Sequence, residues 1–390
     1  MQSVTSGIVP LMEGNGVRVA RLRGYLAADS GNSELACELL DLLLAHGAVG
    51  EADRVLSELP ASTLGHPTVA FRQARCALAS GRYAQAAQQL QGLIEAGADA
   101  PGIAHDLAFC QLCLRQPERA QATVSQAITA HGASASLLIL AARIALMQAD
   151  HDQALAHADG ALILDPEDAQ ALGVRALALF DGNHLEQAAV AADAGLRRDP
   201  DQHESLLVAA TLALWRRDAA AAERMYGRAL QRHPNSGRAL SGQGQCAMMA
   251  NDLPRARSIL EHAVQAMPGH IGTWHALAWT QLLQGQREAA RGSYQQAYAI
   301  DRNFGDTHGG LALVAVLAGE HDEAEQSIQK ALRLAPASIT ARYARSLLLE
   351  AQGDAQGAQA LLSELLDGSG VTTLPVAEFS RRLHRTLVPH

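Results

Sequence analysis

The strongest constraint on this chain is a period. Asp165-Pro166, Asp199-Pro200, His233-Pro234, Met267-Pro268 and Ala335-Pro336 fall on one 34-residue spacing, with Arg302 in the slot left by the longer gap. Carried both ways without insertion or deletion, the frame opens units at Ser33, Pro67, Pro101, Ala135, Ala169, His203, Gly237, Ile271, Gly305 and Ile339. The twentieth residue of every unit, column twenty, is alanine: Ala52, Ala86, Ala120, Ala154, Ala188, Ala222, Ala256, Ala290, Ala324 and Ala358. Column eight is small everywhere but at Leu40: Ala74, Ala108, Ala142, Ala176, Ala210, Gly244, Ala278, Ala312 and Ser346. Column fifteen favours turn formers, as Gly47, Gly81, Asn183, Asn251, Gly285, Gly319 and Gly353. A fixed period of this length marks an array of like supersecondary units rather than a single closed core.

Each column has a physical reading. Small residues at eight and twenty let two antiparallel helices cross closely, where a longer side chain would hold the backbones apart. Gly or Asn at fifteen suits the left-handed cap of the first helix. Proline at thirty-two cannot continue the second helix and helps to end it. A single pair buries only part of its apolar surface, so neighbouring pairs must stack.

At these residues the chain resembles the tetratricopeptide repeat family, a 34-residue helix–turn–helix with small residues at these columns and a closing proline. The departures are a tryptophan at column four only in Trp274, and loss of the closing proline in units one, two, three, eight and ten. Units one and two are also interrupted by Pro60, Gly65, Gly92 and Gly97. The resemblance implies an all-α, right-handed superhelical solenoid with a concave groove lined by the first helix of each unit. The expected organisation is an N-terminal segment and capping helix over 1–32, ten repeats over 33–372, and a C-terminal capping helix and tail over 373–390. Val17–Ala28 reads as the first cap. Pro375–Leu387 reads as the second, with Val376, Phe379, Leu383 and Leu387 on one face and Arg381, Arg382 and Arg385 facing away.

Composition agrees. Alanine supplies about a fifth of the residues, while aromatics are only 4%, which suits closely stacked helices. Net charge is −9, and Lys330 is the sole lysine. That balance disfavours a nucleic-acid backbone as partner. The N-terminal apolar run Ile8–Met12 is too short for a secretory h-region, and no apolar stretch approaches a membrane span. Five scattered cysteines do not form a disulfide framework. A cytoplasmic protein without membrane insertion is expected.

Catalytic chemistry lacks its parts. No GxxxxGK[ST], GxSxG or HExxH occurs. Cys110 and Cys113 form a CxxC, but inside a helix rather than at a turn or helix start, where thiolates are stabilised. His157-Ala158-Asp159 has facial-triad spacing, yet on a helix those two side chains diverge. No catalytic residue, metal or cofactor is expected.

By the resemblance, columns two, five, nine, twelve and thirteen line the groove. Six of the chain's aromatics sit on them: Phe71, Phe109, Phe180, Trp215, Trp279 and Tyr343. Arg143, Met147, Met249 and Leu283 complete the candidate partner-binding set, beside Met248, Leu214, Leu282, Leu313 and Leu317. Aromatic and methionine anchors are what an adaptable groove uses. Some of these residues could instead pack between successive first helices. Groove charges are few and mixed, so binding should depend weakly on salt. The lysine and asparagine that family members use to clamp acidic chaperone tails are absent from these columns. The expected function is a non-catalytic scaffold or adaptor that holds a peptide or helix of another protein. The alternatives are a secretion or assembly chaperone, an accessory subunit presenting substrate to an enzyme, and a regulator gated by a signal peptide.

Overall fold

The structure is a computed structural model in which residues 13–369 are described. Those residues form 22 helices and no strand. The segment 373–390, with its expected cap, lies outside them. By contacts the chain divides into two compact bodies, Met1–Arg198 and Asp199–His390.

The N-terminal body opens with α1 (Glu13–Ala28), α2 (Ser33–Ala45) and α3 (Val49–Glu58), followed by a short α4 (Ala61–Leu64). Pairs then follow as α5 (Pro67–Ala79) with α6 (Tyr83–Glu95), and α7 (Pro101–Cys113) with α8 (Pro117–His131). The body ends with α9 (Ala135–Met147), α10 (His151–Leu164), α11 (Ala169–Asp181) and α12 (Leu185–Arg198). The C-terminal body begins with α13 (His203–Trp215), α14 (Ala219–Arg232), α15 (Gly237–Met249) and α16 (Leu253–Ala266). It continues through α17 (Ile271–Leu283), α18 (Arg287–Ile300), α19 (Gly305–Ala318), α20 (His321–Leu334), α21 (Ile339–Ala351) and α22 (Ala355–Ser369). A first helix starts at every position where the 34-residue frame opens a unit.

Within each body a helix packs on the next one and on alternate neighbours, such as α7 on α9 or α17 on α19. Columns eight and twenty are buried in every pair. All ten column-twenty alanines are buried, and Ser346 Oγ donates to the Ala358 carbonyl at 3.1 Å. A Cβ on Gly244 would lie 2.6 Å from Leu260 Cγ, so the glycine there makes room for a leucine one helix away.

Every first helix ends in the same way. The column-fifteen residue is left-handed in all ten units, including Arg115, Ala149 and Arg217 at φ 57, 59 and 64°. Its N–H donates to the carbonyl of column twelve, and the next N–H donates to that of column eleven, as in Arg217 to Leu214 and Asp218 to Ala213 (both 2.9 Å). These paired bonds satisfy the carbonyls that a helix end leaves open. Asp150, Asp218, Asp252 and Asp354 then cap the following helix from column sixteen. The three-residue turn reverses the chain and aligns the small columns for crossing.

The breakers in the first two units act unevenly. Pro60 follows the end of α3 and opens α4. Gly92 lies inside α6 without ending it, and Gly97 at φ 90° closes it. The turn Asp29–Asn32 leads into α2, capped by Asn32, which accepts from the Leu35 N–H at 3.1 Å. Val19, Leu22 and Leu26 of α1 are buried against the α2–α3 core.

Two pairings vary the packing. Tyr226 and Tyr294 occupy column twenty-four, two units apart, and each lies on a glycine at column six of the next unit, Gly242 and Gly310. A Cβ on either glycine would lie 2.1 Å from a carbon of the tyrosine ring, a clash. The Tyr226 hydroxyl is hydrogen-bonded to Thr211 Oγ1 at 2.8 Å, whereas the buried Tyr294 hydroxyl has no hydrogen-bond partner among the described residues. Burying a hydroxyl without a partner costs about 1–3 kcal/mol.

Denaturant unfolding should separate these roles. Gly310→Ala is expected to lower stability by about 1–3 kcal/mol through overpacking. Tyr226→Phe is expected to lower it by about 1 kcal/mol, while Tyr294→Phe leaves it unchanged or raises it. Equal losses for the two phenylalanine variants would show that the hydroxyl environments do not differ in energy.

Candidate functional site

The first helices carry the candidate residues, and the two bodies hold them separately. In the N-terminal body, Phe71, Phe109, Arg143 and Phe180 are half-buried and Met147 is 48% exposed. The guanidinium carbons of Arg72 and Arg75 stand 6.0 and 5.9 Å from the Phe71 ring centroid. Arg72 also pairs with Asp41 at 2.8 Å, and Arg75 with Asp106 at 3.5 Å. Phe109 meets Tyr83 edge-on at 6.5 Å. This strip is therefore a mixed aromatic and charged surface in which Arg72 and Arg75 already have carboxylate neighbours.

In the C-terminal body the candidates are more apolar. Trp215 is 58% exposed and Met249 is 50% exposed. Both occupy column thirteen, at the ends of α13 and α15, which pack together. Leu283 continues the column on α17 and, like Trp279, is partly buried against the body's core. Column thirteen lies in the last turn of the first helix, just before the left-handed turn. Large apolar residues at this column are exposed at Met147, Trp215 and Met249, half-buried at Leu283 and buried at Leu317.

Tyr343 corrects the sequence expectation. It is only 7% exposed and belongs to the core cluster of the C-terminal body. Leu214, Leu282, Leu313 and Leu317 are likewise buried. Tyr343 shares that cluster with Leu313, Leu347 and Leu362, whereas column five of the units before it meets column three of the next first helix. Ser241 Oγ accepts from Thr273 Oγ1 at 3.1 Å, and His275 Nε2 is bonded to Thr307 Oγ1 at 2.8 Å. At the same position in the next unit, a Cβ on Gly309 would lie 2.8 Å from the Ala341 nitrogen. Columns five and three thus form a seam between first helices, and these polar pairs were not anticipated from the sequence. The small residues at column three from Ala171 onward were the available signal.

The titratable groups are set for structure. Burial pushes the Cys110 thiol up to about 12, and the Cys76 and Cys246 thiols up to about 11. Cys113 is surface-exposed and is the last residue of α7, where the negative end of the helix dipole disfavours a thiolate. Its pKa is also raised, first by desolvation. Burial lowers the His275 pKa, opposed in part by Asp306. Asp159 accepts from Arg175 Nε at 2.6 Å. Among the described residues no three His, Cys, Asp or Glu side chains are placed to hold a metal ion, and no helix is long and apolar enough to cross a membrane.

Two family models described as tetratricopeptide repeat match the sequence. One covers residues 213–279, the other 112–169, 139–203 and 275–339, together more than half of the chain. No curated protein matches. Among solved structures, the APC/C hetero-tetramer Cut9-Hcn1 superposes with a TM-score of 0.51 at 12% identity, over 96% of this chain and 86% of that one. An IFIT1 monomeric mutant with Gppp-AAAA gives 0.54 at 16% identity, over 97% and 96% of the two chains. These likenesses are of fold.

The thiols and phenols make the fold sensitive to alkali. Burial raises the pKa of Tyr226 to about 12 and raises those of Tyr294 and Tyr343. In the unfolded chain, cysteine ionises near 8.5 and tyrosine near 10. The folded state holds these protons longer, so stability is intact below pH about 8 and falls progressively as pH rises toward about 12. Helicity followed against pH, with a thiol reagent added at each step, should show slow labelling of Cys76, Cys110 and Cys246 at pH 8 and rapid labelling only as helicity is lost.

Proposed function

Because the chain belongs to the tetratricopeptide repeat family, we propose that it is a non-catalytic interaction scaffold that binds a peptide or helix of another protein along its first helices. The proposal takes the repeats as ten, spanning 33–372, with α1 as the N-terminal cap. The observation that carries it is the exposed pair Trp215 and Met249. They stand on adjacent first helices whose other large apolar side chains are mostly buried. A tryptophan and a methionine held open in neighbouring turns offer large contact area on a rigid backbone. Half-buried Trp279 and Leu283 extend this surface toward α17, so an apolar face of a partner helix or an extended segment would seat along it.

The chemistry of the surface favours protein over nucleic acid. The net charge is −9, and many arginines are engaged by carboxylates, among them Arg72, Arg175, Arg228, Arg255 and Arg291. Phosphate neutralisation needs free cations in a row. Buried, protonated cysteines accord with a reducing cytoplasm, which we hold to be the compartment.

The test compares proteins retained by the full chain with those retained by Trp215→Ala/Met249→Ala and by Trp215→Ala/Trp279→Ala. Both double variants are expected to keep wild-type helicity and to lose at least tenfold in affinity for the same partner, with little change between 50 and 300 mM salt. Retention of that partner at wild-type affinity by both variants would overturn the assignment of this surface.

A further inference from the structure

Helix α1 closes a cleft as well as an end. Between α1, α2 and α3 lies a pocket of about 400 Å³, within the size range of small-molecule sites. Leu26, Leu39, Val55 and Leu59 form its apolar lining, and Arg23, Arg54 and Glu58 supply its charges. The cleft is in the N-terminal body and is independent of the Trp215 surface.

The charges at this cleft are unusually uncommitted. Arg23 Nη2 donates to Glu51 at 2.8 Å, but its Nε is buried and has no hydrogen-bond partner among the described residues. The Arg54 side chain makes one long contact, 3.5 Å to the Gly50 carbonyl of its own helix. Glu58, one turn further on, makes no ion pair among the described residues. Arg54 precedes Glu58 by four residues, and for such a pair the acid-first order is the favourable one along a helix. An unpaired cation and an unpaired anion therefore flank an apolar lining, with a second, partly used guanidinium beside them.

The three charges select the ligand. A carboxylate alone would meet repulsion from Glu58, and an amine alone would meet it from Arg23 and Arg54. A group carrying both charges satisfies all three. We infer that this pocket binds a small aliphatic zwitterion, either a free amino acid of the leucine type or a short peptide of such residues. Its carboxylate is recognised by Arg54 and Arg23, its ammonium by Glu58, and its side chain by Leu26, Val55 and Leu59. Charge-assisted hydrogen bonds of this kind fix orientation as well as affinity.

Calorimetry on the full chain tests this with four probes: L-leucine, leucyl-leucine, N-acetyl-leucine and leucinamide. Leucine or leucyl-leucine is expected to bind at least tenfold more tightly than either blocked probe. Preference for leucine identifies a free amino acid, and preference for leucyl-leucine identifies a short peptide. Arg54→Gln, an exposed position, should remove the preference for leucine over leucinamide, and Glu58→Gln the preference over N-acetyl-leucine. Absence of binding by all four probes overturns the inference. So does equal binding of the free and blocked compounds, or selectivity that survives both substitutions.

Discussion

Everything in this molecule depends on how closely two helices of a pair can cross. Alanine at column twenty and, in nine units of ten, a small residue at column eight leave room for that crossing, and all ten alanines are buried. Dispersion contacts at such a crossing are numerous and short-ranged, so a small separation would forfeit many of them together. Column twenty-four varies in size, from Ala158 and Ala192 to Tyr226 and Tyr294, and where it is a tyrosine it reaches the next unit. Column six then has to yield where column twenty-four is a tyrosine.

The turn between the two helices shows how position can override residue type. Seven of the ten left-handed sites carry Gly or Asn and could be read directly. Arg115, Ala149 and Arg217 could not, since an L-residue with a Cβ avoids that conformation. They adopt it because the paired carbonyl bonds and the close crossing beyond fix the backbone. Periodicity revealed these three turns where local propensity did not.

Much of the fold was legible for the same reason: every first helix opens at the frame's predicted start. The candidate surface was less legible. Column thirteen is exposed at Trp215 and Met249 but buried at Leu317, so its accessibility varies from unit to unit. Tyr343 is buried, because one sequence gives the face on which column five lies but not that the core of the last unit takes that side chain in. The seam of Ser241–Thr273 and His275–Thr307 is a relation between residues thirty-two apart, visible only once helices are stacked. The charged cleft beneath α1 has no periodic signal, since it forms where the repeat pattern gives way to an end.

The tyrosine–glycine pairs give the array a grammar of two. Tyr226 rests on Gly242 and Tyr294 on Gly310, while at the intervening junction Leu260 occupies the tyrosine column and Ala276 the glycine column. Excising one repeat, 237–270, would set Tyr226 against the methyl of Ala276. Excising two, 237–304, would return it to a glycine, Gly310. Gene duplication and loss in this stretch would therefore preserve packing when repeats move in couples. An outwardly uniform ladder carries a hidden parity.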